Sequence, residues 1–277
     1  MAARQANIVR TIAIVGPTGT GKTALATALA SAATGGPGTA PNAAGQSGEM
    51  AFSAIDFMGD HYALLDTPGA VDFVADADYA LPAVDLAIVV ADSDPDKAVL
   101  LQPFLHAVEA QKIPHVLFIN KIDQARGRVR DLLEALQPVS ALPLVARQIP
   151  IWKDEQVSGF VDLALERAFL YQQGKASKVI DIPADLAERE TEARFHMLEQ
   201  LADFDDKLME QLLSDTTPDR DTVFADLVRE THEGLIAPVF FGSTAHGYGI
   251  RRLLKALRHD TPAPALAAAR LGMIGPG

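Results

Sequence analysis

The sequence predicts an α/β protein built on a mostly parallel sheet with helices on both faces, carrying an inserted acidic α+β subdomain. Three observations predict it. Short apolar runs of strand character alternate with segments of helical spacing through the first half of the chain. A Gly-rich turn joins the first of these runs to an Ala- and Leu-rich helix. Acidic segments of helical spacing then separate that half from a final strand and helix.

Taken in order, Arg10–Val15 (RTIAIV) is an apolar run that stops at Gly16, as a buried parallel strand feeding a tight turn does. Lys22–Ala33 (KTALATALASAA) is composed of good helix formers. Residues Gly35–Glu49 consist mainly of Gly, Pro, Ala, Ser and Asn without periodicity and are expected to form a mobile loop. Ala51–Phe57 and His61–Leu65 are strand candidates joined by Met58-Gly59-Asp60, where Gly59-Asp60 suits a tight hairpin. Asp85–Ala91 (DLAIVVA) and His115–Ile119 (HVLFI) are further strands, with helical spacing over Lys97–Gln111 between them. Leu142–Ala146 and Pro150–Trp152 also have strand character. Ile180–Glu233 is rich in Asp and Glu around the helically spaced Phe195, Leu198, Leu201, Leu208 and Leu212. Leu235–Phe241 returns to strand and Ile250–Leu257 to helix. The expected division is a core over 1–140, an inserted subdomain over 141–233, a closing strand and helix over 234–260, and a Pro- and Ala-rich linker over 261–277.

Composition bounds the function classes. With 277 residues and 48% hydrophobic content the chain can bury a sizeable core. Its net charge of -12 and pI of about 4.9 argue against extensive nucleic-acid contact by this chain alone, because counterion release requires clustered Lys and Arg. The absence of Cys excludes disulfides and thiolate metal sites and fits a reducing compartment. No apolar run reaches the roughly 20 residues of a membrane helix, and the first ten residues carry no signal-peptide pattern. A soluble, cytoplasmic chain with no membrane partner is expected.

Residues Gly16-Pro17-Thr18-Gly19-Thr20-Gly21-Lys22-Thr23 fit G-x-x-x-x-G-K-[ST] between a predicted strand and helix. The glycines let backbone N–H groups turn inward onto phosphate oxygens, and the helix N-terminus adds positive charge. Lys22 is expected to reach the β- and γ-phosphates and the Thr23 hydroxyl to ligate Mg²⁺. The motif is silent on the base, since ATP enzymes share it. Asp66-Thr67-Pro68-Gly69 follows a strand ending at Leu65. Asp66 at that strand end can hold Mg²⁺, often through water, and the Gly69 N–H can bond a γ-phosphate; the bland alternative is a turn capping a helix. Lys22 and Gly69 are thus the candidates for acting on the transferred phosphate. Asn120-Lys121-Ile122-Asp123 follows the strand His115–Ile119. The Asp123 carboxylate can accept from N1–H and the exocyclic amine of guanine, a pattern adenine lacks, so an adenine facing it leaves a buried charge unpaired. Lys121 is expected along the base and Asn120 as a tie to the phosphate loop. Gly242-Ser243-Thr244 follows the strand Leu235–Phe241, where a backbone N–H can reach guanine O6 and Ser243 can brace Asp123.

With these residues in place, the chain resembles the GTPase domain of elongation factor G over nearly its whole length. Leu64–Phe73 (LLDTPGAVDF) looks like switch II, Pro238–Pro264 like the last strand, base loop and closing helix, and Gly159–Leu163 (GFVDL) with Asp181–Asp185 (DIPAD) like the G-prime insertion. The resemblance implies a P-loop GTPase fold, GTP and GDP with Mg²⁺ as ligands, the ribosome as partner, and hydrolysis coupled to translocation. It also implies further domains after Gly277, so the chain is expected to be part of a longer factor. Three positions depart from the family. Switch II there reads D-T-P-G-H, with a His orienting the attacking water, where this chain has Ala70. The R-G-I-T stretch of switch I has no counterpart in Gly35–Glu49, and only Thr39, Ser47 and Ser53 offer hydroxyls nearby. Gly19 stands where the family often has Asp. Two readings follow: a Mg²⁺-dependent GTPase, and a GTP/GDP-binding module with little hydrolysis. An ATPase is a distant third, which Asp123 opposes. The histidines at 61, 106, 115, 196, 232 and 246 lack ligand spacing and read as structural or solvated; His246 lies in the base loop, where contact with nucleotide and ordinary loop chemistry explain it equally well. The acidic stretch at Asp203–Asp206 reads as a solvated face, with docking of a basic or helical partner as the functional alternative.

Overall fold

The computed structural model describes residues 8–38, 50–69, 81–125, 129–172 and 175–273. Its strands are β1 (Val9–Val15), β2 (Ala51–Phe57), β3 (Asp60–Asp66), β4 (Leu86–Asp92), β5 (His115–Asn120), β6 (Leu144–Ala146), β7 (Gln148–Lys153), β8 (Gln156–Asp162), β9 (Arg167–Gln172), β10 (Lys175–Ile180) and β11 (Ala237–Phe241). Seven of them form one sheet in the order β2-β3-β1-β4-β5-β11-β6. All its pairings are parallel except the β2–β3 hairpin. That hairpin turns at Met58 and Gly59, whose φ angles of 52° and 91° match the primed turn suited to twisted strands.

The apolar runs lie at the centre because both faces of the sheet are covered. In β1, Ile12 and Ile14 join one core cluster while Ala13 and Val15 join another. The helices are α1 (Lys22–Ala33), α2 (Gln102–Ala110), α3 (Val129–Leu136), α4 (Ala187–Ala202), α5 (Asp206–Leu213), α6 (Arg220–Glu233), α7 (Ile250–Asp260) and α8 (Pro264–Arg270). Leu25 and Leu29 of α1 and Leu253 and Leu257 of α7 cover the Ile12 face. Leu105 and Val108 of α2 and Leu132 and Leu136 of α3 cover the other. The architecture is the α/β one expected, a mostly parallel sheet with helices on both faces.

The inserted part pairs a four-stranded antiparallel sheet, β10-β9-β8-β7, with α4, α5 and α6. A third cluster, including Leu163, Leu198, Leu201, Val223 and Leu227, holds those helices together. Three details differ from the sequence reading. Leu144–Ala146 lies inside the 141–233 segment, yet it pairs with β11 as an edge of the main sheet, burying Leu144 and Val145. The Lys97–Gln111 helix opens as a 3₁₀ turn over Pro95–Leu101 before α2 begins. Within 261–277, read from its composition as a linker, Pro264–Arg270 is helical. Pro264 occupies the first turn, where its missing N–H costs no hydrogen bond, Ala267 is buried, and Arg270 donates to the Val84 carbonyl.

Candidate nucleotide site

Four loops at the C-terminal ends of β1, β3, β5 and β11 converge, which is where open parallel sheets place their ligand crevice. The loop after β1 is shaped by glycines in the left-handed region. Gly19 has φ 84° and Gly21, the residue before α1, has φ 96°. A Cβ on Gly21 would collide with Asn120 Nδ2, and one on Gly16 would lie 2.5 Å from the Val90 carbonyl oxygen. These positions therefore need glycine for closeness as well as for conformation. Pro17 closes the turn, accepting from the Thr20 hydroxyl at 2.9 Å and from Lys22 Nζ at 3.1 Å. Thr18 and Gly19 are exposed at the loop's outer edge.

Lys22 is buried, and that burial pulls its pKa down against the opposing pull of Asp66. Thr23, next along α1, donates its hydroxyl to Asp66 Oδ2 at 2.5 Å. Asp66 ends β3. Its Oδ1 is buried without a partner, and burial pushes its carboxyl above the usual range, against the Thr23 hydrogen bond and the Lys22 charge. Thr67, which the motif passes over, anchors the following segment by bonding the Ile14 carbonyl through its hydroxyl at 3.0 Å. Gly69 packs over the phosphate loop: a Cβ there would collide with Lys22 Nζ and lie 2.8 Å from the Thr18 nitrogen. Ala70, Thr39 and Ser47 lie outside the described residues, and Ser53 sits on β2 with its side chain exposed.

The pairing of the Thr23 hydroxyl with a carboxylate that keeps an unpartnered oxygen fits a hard divalent cation. Among the described residues no group of three or more His, Cys, Asp or Glu could hold a metal. Such a donor set suits Mg²⁺, which takes one or two protein oxygens and completes its shell with phosphate and water.

The third and fourth loops are tied to the first. Asn120 Nδ2 donates to the Thr20 carbonyl at 2.8 Å and to Thr244 Oγ1 at 3.3 Å, while its Oδ1 accepts from the Thr244 backbone at 3.1 Å. Lys121, with φ 61°, spans from the Gly19 carbonyl to Asp92 Oδ2, both at 2.7 Å. Burial works against ionising Asp92, but Lys121 and Lys97 outweigh it and hold the carboxyl below its usual range. Asp92 belongs to none of the sequence motifs; its signal is an acidic residue ending the fully apolar strand β4.

Asp123 has one carboxylate oxygen, Oδ1, buried without a partner. Its other oxygen lies 3.6 Å from His246 Nδ1. The Ser243 hydroxyl, expected to brace Asp123 directly, instead bonds His246 Nδ1 at 3.1 Å. Ser243 and Tyr248 exchange two backbone hydrogen bonds, so Gly242–Gly249 forms a small closed loop before α7. His246 and Tyr248 stack there; the sequence places His246 in the base loop but does not mark Tyr248. The structure thus brings Gly16 to Thr23, Asp66, Gly69, Asn120, Lys121, Asp123, Ser243 and Thr244 to one end of the sheet.

A family model described as the elongation factor Tu GTP binding domain matches residues 7–263. An elongation factor G-like protein of Synechocystis is 36% identical over 276 residues, covering 95% of this chain and 41% of that protein. Elongation factor G of Rhodopirellula baltica is 32% identical over 216 residues, covering 77% of this chain and 31% of its own. A crystal structure of a Thermus thermophilus protein superposes with a TM-score of 0.78 at 23% identity, covering 94% of this chain and 41% of that one; this likeness is one of fold. The chain spans less than half the length of each of these relatives.

Proposed function

The chain belongs to the elongation factor Tu GTP-binding domain family, as the GTPase domain of an elongation-factor-G-like protein, and on that premise we propose that it binds GTP and GDP with Mg²⁺ and hydrolyses GTP. The observation that carries the base assignment is the buried, unpaired Oδ1 of Asp123. A buried carboxylate oxygen without a donor favours a ligand that brings one, and guanine brings N1–H and an exocyclic amine. Asn120 ties that loop to the phosphate loop, so base and phosphates are read by one rigid unit.

Each residue then has a role. The N–H groups of Gly16 to Thr23 and the start of α1 receive the phosphates. Lys22 exchanges its bond to the Pro17 carbonyl for the β- and γ-phosphates. Thr23 and Asp66 would hold Mg²⁺, which neutralises phosphate charge when bound. The Gly69 N–H contacts the γ-phosphate, and its proximity to Lys22 makes the β3 end responsive to that group. Lys121 lies along the base, and the Ser243 and Thr244 backbone closes over it. Phosphoryl transfer depends on positioning and charge neutralisation more than on covalent chemistry, so these groups give hydrolysis at a basal rate.

Hydrolysis coupled to ribosomal translocation in the cytoplasm, with the ribosome as partner, is the wider role that the elongation factor G-like relatives support. The acidic charge of this chain gives it little nucleic-acid contact of its own. One observation favours a second reading, a nucleotide-binding module with little turnover: Ala70 follows Gly69, and a methyl group cannot orient water. Single-turnover GTP hydrolysis with and without ribosomes separates the two. Phosphate release above the protein-free control supports the GTPase, and Ala70→His should accelerate it by about tenfold or more, as a positioned hydrogen-bonding group does. A wild-type rate equal to the control selects the binding module.

A further inference from the structure

The base loop is braced from the inserted subdomain by a column of rings. Tyr171 of β9 lies flat on Tyr248, with ring centroids 4.4 Å apart and planes 1° from parallel. Tyr248 stacks in turn on His246 at 5.2 Å. Behind Tyr171, Phe160 of β8 packs at 5.7 Å and itself stacks on Phe169 at 4.9 Å. The column ends at the imidazole whose Nδ1 faces the Ser243 hydroxyl at 3.1 Å and Asp123 Oδ2 at 3.6 Å. The Nδ1–H tautomer would present a donor to the carboxylate, where a bare Nδ1 would present a lone pair. At 3.6 Å this is an electrostatic contact rather than a hydrogen bond. It acts on the Oδ2 side of the carboxylate, while Oδ1 is buried without a partner.

We propose that His246 is a positioning residue for the guanine-reading carboxylate of Asp123, and that Tyr171 of the inserted sheet, through Tyr248, holds the imidazole in place. The inference rests on guanine binding at Asp123 as proposed above. Tyr171 acts through its ring alone. Its hydroxyl is buried without a partner and so anchors nothing. Tyr248 is fixed from two sides, by this stack and by its paired backbone bonds to Ser243. The inserted subdomain thereby adds to guanine selectivity without touching nucleotide.

The test compares affinities for GDP and for inosine diphosphate, which lacks the exocyclic amine, by competition against a fluorescent GDP analogue. If His246 sets the angle at which Asp123 meets both guanine donors, His246→Ala lowers the GDP:IDP affinity ratio by about fivefold, the scale of one ordinary hydrogen bond. His246→Gln, whose amide can face the same two oxygens, restores the ratio to within about twofold of wild type. Tyr171→Leu shifts the ratio in the same direction as His246→Ala, and Tyr171→Phe keeps the wild-type ratio. Equal loss of GDP and IDP binding in His246→Ala, or an unchanged ratio, overturns the proposal. A wild-type chain that binds neither diphosphate overturns the guanine-site reading itself, and the two failures are thus distinct.

Discussion

Two carboxylates at the candidate nucleotide site are held in states that isolated side chains would avoid. Asp123 keeps a buried oxygen without a donor, and Asp66 keeps another. Each costs about 1–3 kcal/mol of desolvation until a ligand supplies a partner. In the proposed function the site stores part of its affinity as unmet hydrogen bonding. For Asp66 this has a pH consequence. Burial raises its folded-state pKa, so its contribution to the stability of the ligand-free chain is present at low pH and lost as pH rises through that raised pKa. Metal binding needs the ionised form and runs the other way. Mg²⁺ affinity should fall as pH drops, with the loss starting at a higher pH than for an ordinary Asp. Titrating Mg²⁺ into the GDP complex from neutral pH down through the carboxylate range checks this. An affinity flat across that range would contradict it.

Single elements follow local rules with few exceptions. Asp205 and Asp219 cap α5 and α6 by accepting backbone N–H bonds from the first turn, and Gly234 ends α6 in the left-handed conformation. The exception on α6 is Glu230. Its side chain is fully buried, Oε1 accepts from Arg229 at 3.0 Å, and Oε2 has no partner. Burial raises its pKa to about 8, with Arg229 pulling down and Asp226, Asp205 and Glu233 pushing up. The stability this group contributes is present below its unfolded-state value of 4.5 and is lost as pH rises through about 8. Glu230→Gln should therefore raise the melting temperature at about pH 8 by about 2–4 °C, corresponding to about 1 kcal/mol, and leave it little changed near pH 5. Thermal melts at the two pH values measure the difference, and equal shifts at both would refute the assignment.

Across the whole molecule, the inserted part is locked to the core by buried charge. Arg252 of α7 donates to Asp162 Oδ2 of β8 at 2.5 Å, and Asp162 Oδ1 caps the Leu165 N–H. Nearby, Arg147 pairs with Asp260 at 3.8 Å and lies over the rings of Phe224 and Phe240, all but closed to solvent. Removing one partner leaves the other buried and uncompensated, so Asp162→Ala should destabilise the chain by about 3–5 kcal/mol in urea unfolding. A loss below about 1 kcal/mol would mean that α7 and the inserted sheet are only loosely joined.

Legibility in the sequence follows the same physics. The apolar runs of β1, β4 and β5 announce a parallel sheet because burial on both faces removes alternation. The phosphate-loop glycines are legible because φ near 90° tolerates little else. Strands β8 to β10 were not, since their residues are held by an antiparallel sheet whose pairing is non-local. Helix α8 hid behind Pro264, which serves equally as a linker residue and a helix start. Asp92 and Tyr171 were invisible, and His246 was legible only as a base-loop residue, because only the folded chain brings them to Lys121, Tyr248 and Asp123.

In the proposed function, Asp123 and the phosphate loop together bind a guanine nucleotide. Calorimetric titration of the chain with GDP, a non-hydrolysable GTP analogue and ATP, each with Mg²⁺, tests it most directly. GDP should bind at about micromolar Kd or tighter, about −8 kcal/mol, with no measurable ATP binding, and Asp123→Ala should lose GDP binding with no fall in melting temperature. ATP binding as tight as GDP, or no nucleotide binding at all, would contradict it.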